Sequence, residues 1–75
     1  MNELNKLIDM LERRFKAGEN GRSLEPLLAA IATAFERSKE PLWQDNARQL
    51  RAGLKTVLRG GTYSGFIPQK VPDVY

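Results

Sequence analysis

The stretch Leu24–Phe35 reads LEPLLAAIATAF and is apolar or small around almost its whole circumference. Leu24, Leu28, Ile31 and Phe35 share one helical face with Leu27 beside it, while Ala29, Ala30, Ala32, Thr33 and Ala34 fill most of the remainder. A helix of this kind is buried on more than one side. The chain must therefore supply further elements to cover it, and its 75 residues allow one domain to do so.

Amphipathic segments lie on both sides. Leu4, Leu7, Ile8, Leu11 and Phe15 follow the i, i+3, i+4, i+7, i+11 series of a single helix face, with Met10 at its edge. Asn2 is placed to cap this helix and Glu3 to meet its positive end. Asp9–Arg13 and Glu12–Lys16 are acid-before-base pairs at i, i+4. Trp43, Ala47, Leu50, Leu54 and Val57 are spaced 4, 3, 4, 3, with Leu58 alongside.

The punctuation between these segments is strong. Gly18-Glu19-Asn20-Gly21 ends the first helix in a tight turn, so the second should run back along it. Ser23 is placed as the second helix's N-cap, with Pro26 in its first turn. Pro41 ends that helix and opens the third, which Gly60-Gly61 stops. The spacing predicts an all-α chain, a small three-helix bundle with helices over about 3–17, 23–39 and 41–59. A domain of residues 1–59 would then carry a tail, residues 60–75. Gly53 lies mid-helix beside the apolar face, where close approach of another helix would explain it.

The tail, GTYSGFIPQKVPDVY, has too much Gly and Pro for a long helix, yet it is rich in Tyr, Phe, Ile and Val. An extended, partly ordered segment is expected. It packs either on the bundle or on a partner.

Composition excludes much chemistry. The chain has neither cysteine nor histidine. The commonest general base, the best nucleophile and zinc's usual ligands are therefore missing. Ser23, Ser38 and Ser64 have no base beside them in sequence, and the Glu36/Glu40 pair offers too few oxygens for a hard cation. No enzymatic activity, cofactor or metal is expected. Gly18–Gly21 has the spacing of a nucleic-acid-clamping GxxG loop, but the flanking strands are missing and Glu19 would repel phosphate. The acid-bearing start is unlike a secretory signal. The longest apolar run, Leu27–Ala32, is far short of the ~20 residues that span a bilayer. The expectation is a soluble, cytoplasmic protein that makes no membrane contact.

Charge is the remaining signal. Residues 1–40 carry seven basic and seven acidic side chains, and residues 41–75 carry five against two. Arg48, Arg51, Lys55 and Arg59 fall within an arc of about 80° of the third helix. Such a stripe suits an acidic protein surface or phosphates. The polar residues Gln44, Asp45 and Asn46 follow Leu42 and Trp43 in its first turns, a poor start for a base-reading helix. Tyr63, Phe66 and Ile67 are anchor residues of the type found in protein interfaces, or the lid of the bundle's open side.

The expected function is a non-enzymatic protein-binding module, a small adaptor or inhibitor. It would occupy a larger partner's surface through Arg48, Arg51, Lys55, Arg59, Tyr63, Phe66 and Ile67. Regulators encoded by phages and other mobile elements share this form. The alternative is a nucleic-acid-binding protein using the same stripe, and a third reading is a homodimer, with the alanine-rich side of Leu24–Phe35 covered either by the tail or by a second copy of the chain.

Overall fold

A computed structural model describes residues 3–70. The expected Asn2 cap and the end of the tail, residues 71–75, lie outside these. The architecture is a bundle of three helices, α1 (Glu3–Lys16), α2 (Glu25–Glu36) and α3 (Pro41–Leu58), followed by an extended tail. No strand forms among the described residues.

Two helix ends close in the same way. Gly18 (φ +97) donates its N–H to the Phe15 carbonyl at 3.0 Å, and Glu19 donates to Arg14 O at 3.1 Å. At the end of α3, Gly60 (φ +89) donates to Val57 O at 3.0 Å and Gly61 to Thr56 O at 2.9 Å. Both are Schellman motifs, which need a left-handed residue that glycine supplies without a Cβ penalty.

The boundaries of α2 differ from expectation. A single 3-10 turn, Arg22–Leu24, precedes it, and Ser23 sits inside that turn instead of capping the helix. The turn is closed by Leu24 N–H donating to Gly21 O at 3.0 Å. At the other end α2 stops at Glu36, short of residue 39. The reason is tertiary. Gln44 of α3 donates its side-chain amide to the Glu36 carbonyl at 3.0 Å and also to the Ser38 carbonyl. It thereby satisfies carbonyls that a helix end leaves orphaned. Glu40 is extended (ψ 126), as a residue before proline should be.

α2 is central. It packs extensively along α3 and over a smaller area against α1. Leu24, Leu27, Leu28, Ile31, Ala32 and Phe35 from α2 and its leading turn are buried, together with Ile8 and Leu11 of α1 and Ala47, Leu50, Leu54 and Val57 of α3. Trp43 is only partly buried and meets Phe35 edge-on, ring centroids 6.2 Å apart. Leu58, expected beside the stripe, remains 43% exposed.

The tail closes the side between α1 and α3. Tyr63 is 4% exposed, and Phe66 and Ile67 pack on the core. The Tyr63 ring meets Phe15 edge-on with centroids 6.2 Å apart, its N–H donates to Asn20 O at 2.6 Å, and its hydroxyl donates to the Phe66 carbonyl. Gly53 is explained by this ring and not by a neighbouring helix, because a Cβ there would stand 2.3 Å from Tyr63 Cε1. Lys70 reaches Asp9 of α1 at 3.6 Å.

Candidate functional site

The four residues of the basic stripe share the outer side of α3, but the bundle uses them differently. Arg51 is an interhelix clamp. Its Nε and Nη2 each donate to a Glu36 carboxylate oxygen at 2.9 Å, and Nη2 also donates to Thr33 Oγ1 at 3.1 Å. The hydrogen bonds to Arg51 hold the Glu36 carboxyl below the usual carboxylate range, and the same bonds raise the guanidinium further. Arg48 pairs within its own helix with Asp45 one turn back, both largely exposed. Lys55 and Arg59 are exposed and form no ion pair with any described residue. The stripe therefore presents two unpaired cations and one loosely paired arginine instead of four free charges.

The three tail residues are brought together, but inward. Tyr63 is inside the core, and burial pushes its phenol up to about 12. Phe66 and Ile67 keep part of their surface. Phe66 borders a shallow groove of about 310 Å³ with Gln49, Ala52, Gly53, Thr56, Thr62 and Ser64. Ile67 borders another of about 360 Å³ between the tail and Ile8 and Glu12 of α1.

Several weaker sequence signals now have structural uses. Gln44, a conceivable base-reading side chain, caps α2, and Asp45 holds Arg48. The Gly18–Gly21 loop carries a Schellman turn and offers Asn20 O to the tail. Glu36 of the Glu36/Glu40 pair is engaged by Arg51. Among the described residues no group of three or more acidic side chains gathers to hold a metal ion, and no helix is long and apolar enough to cross a membrane.

One feature was not visible in the sequence. α1 and α2 leave a groove of about 260 Å³ between them, lined by Leu7, Met10, Arg14, Pro26, Leu27 and Ala30. Met10 is 43% exposed, and Pro26 and Ala30 are exposed too. Its only sequence signals were Met10 off the main stripe and the alanines of α2.

The chain matches no protein-family model, no curated protein and no solved structure.

Proposed function

We propose that this is a non-enzymatic protein-binding module whose contact surface is the outer face of α3, with Arg48, Lys55 and Arg59 meeting an acidic patch on a larger partner. The observation that carries the reading is that Lys55 and Arg59 are exposed without an ion-pair partner among the described residues. Exposed cations aligned on one helix face steer an acidic partner into place. Arg51 supports this face from behind by tying α3 to α2, and Tyr63, Phe66 and Ile67 support it by closing the bundle.

Affinity capture from the source cells, followed by mass spectrometry with and without nuclease, identifies the partner class. Lys55→Glu/Arg59→Glu should abolish capture of that partner while helical content is unchanged. Undiminished capture would remove this surface from the proposal. Arg51→Glu is a poor probe, because it sets a second carboxylate against Glu36 and would act through stability.

The same row of cations sustains a second reading, contact with nucleic-acid phosphates. Each duplex phosphate contact contributes about −0.9 to the slope of log affinity against log salt. Two or three cations give a shallow slope and weak binding, and no gel retardation at low salt would eliminate it.

A further inference from the structure

We propose that Asn20 is a site of spontaneous covalent modification, where water converts its side-chain amide to a carboxylate through a cyclic imide, and that the isoaspartyl product loosens the tail. The proposal does not depend on which partner meets the face of α3. Asparagine is among the chemically labile side chains. The reaction asks three things of it: an accessible amide, a following backbone nitrogen free to lose its proton, and room for the two to close a five-membered ring. Asn20 is exposed, and its side chain makes no hydrogen bond to any described residue. The Gly21 N–H donates to no described residue either, and the glycine serves the turn through its carbonyl, which accepts from Leu24 N–H at 3.0 Å. The attacking nitrogen carries no side chain beside it, and nothing lies within 4 Å of where a Cβ on Gly21 would stand. Asn5 and Asn46 differ. They sit inside α1 and α3, each is followed by a residue with a Cβ, and the helix fixes the peptide plane that ring closure must rotate.

The atoms balance with water alone. The Gly21 nitrogen gives up its proton and attacks Asn20 Cγ, the bond from Cγ to the side-chain nitrogen breaks, and ammonia leaves with a proton. The imide then takes up one water. Opening at Cγ gives aspartate. Opening at the main-chain carbonyl gives isoaspartate, in which the link to Gly21 runs through Cβ and Cγ and the old carbonyl becomes a free carboxylate. That carbonyl is the one the tail uses. Tyr63 N–H donates to Asn20 O at 2.6 Å, the one backbone hydrogen bond among the described residues between the helical part and the tail beyond Gly61. The same residue seats its ring against Gly53 and Phe15. A main chain one methylene longer at residue 20 displaces that acceptor, so isoaspartate, unlike aspartate, weakens the closure of the tail.

The full chain is incubated at mildly alkaline pH and followed by peptide mapping with mass spectrometry, and isoaspartate is scored with an isoaspartyl methyltransferase. The peptide holding Asn20 should convert an order of magnitude faster than those holding Asn5 and Asn46. Gly21→Ala is accommodated by the open space there and by a φ of −117. It should slow conversion by an order of magnitude with helicity intact, and so should Asn20→Gln, whose ring would be six-membered. The isoaspartyl form, separated by ion exchange, should melt about 4–8 °C lower, the shift expected for a lost hydrogen bond in a chain of this size. Its Tyr63 amide should lose protection from hydrogen exchange. Freshly purified Asn20→Asp carries the same charge on an unlengthened main chain and should melt like the parent. Conversion of Asn20 no faster than that of Asn5 and Asn46, or undiminished conversion in a variant that keeps its helicity, overturns the site. An isoaspartyl form that melts like the parent, or Asn20→Asp melting equally low, overturns its link to the tail.

Discussion

Tyr63 and Gly53 form one unit. The glycine costs α3 roughly 1 kcal/mol of helix propensity relative to alanine, and its bare backbone is what the Tyr63 ring lies against. Gly53→Ala should therefore destabilise by about 1–3 kcal/mol despite the better helix former, because the ring must move. Combined with Tyr63→Leu, which withdraws the ring, the loss should be well below the sum of the two single changes. Urea denaturation of the four proteins of this double-mutant cycle gives the answer.

The phenol adds a pH dependence. Burial pushes its pKa up to about 12, so the folded state holds the proton more tightly than the unfolded chain, whose phenol titrates near ~10. The stability this brings is fully present below pH ~10 and is lost as pH rises towards about 12. Urea midpoints measured across that interval should fall, and Tyr63→Phe should remove that part of the fall. The same variant costs about 0.5–1.5 kcal/mol at neutral pH for the hydrogen bond to the Phe66 carbonyl.

At the scale of elements, helix ends decide the geometry. The Gly18 turn returns the chain from α1 towards α2, and the Gly60 turn sends the tail back across α3. Alanine at either position must adopt a left-handed conformation that costs about 1–2 kcal/mol. Thermal melts of Gly18→Ala and Gly60→Ala should each show that loss, with native helical content at low temperature. α2 is joined to α3 by polar contacts as well as by its leucines. Gln44 caps its last carbonyls and Arg51 grips Glu36 and Thr33. The boundaries of α2 therefore differ from those its local sequence signals imply. Ser23 and Pro41 are genuine local signals, but the 3-10 turn and the Gln44 cap depend on what α1 and α3 place nearby.

For the molecule as a whole, the tail is part of the core. α2 packs on both other helices, and the gap between α1 and α3 is filled by Tyr63 against Phe15 and Gly53. A core in a chain of this size rarely supplies more than about 3–5 kcal/mol, and removing a buried aromatic side chain costs a similar ~3–5 kcal/mol. Tyr63→Ala should thus leave much of the protein unfolded at room temperature, and a chain ending at Gly61 should behave alike. Circular dichroism and amide dispersion would show both losses. The consequence for function is a division of labour. Tyr63, Phe66 and Ile67 hold the bundle closed, while Lys55 and Arg59 on the outer face of α3 stay exposed.

What the sequence determined by itself was the class and order of the elements. Three apolar series at helical spacing, interrupted by Gly18, Pro41 and Gly60-Gly61, leave little choice but a three-helix bundle with α2 in the middle. Periodicity also placed Arg48, Arg51, Lys55 and Arg59 on one side of α3. It could not say which of them stay free, because Glu36, fifteen residues before Arg51, becomes its partner only when α2 and α3 pack. Nor could it decide which side of α2 the tail covers. Gly53 and Phe15 make that choice through the shape of the Tyr63 ring, and so leave Ala30 and Met10 beside an open groove. Local patterns encode local structure, whereas the pairing of charges and the covering of faces belong to residues that meet only in the folded chain.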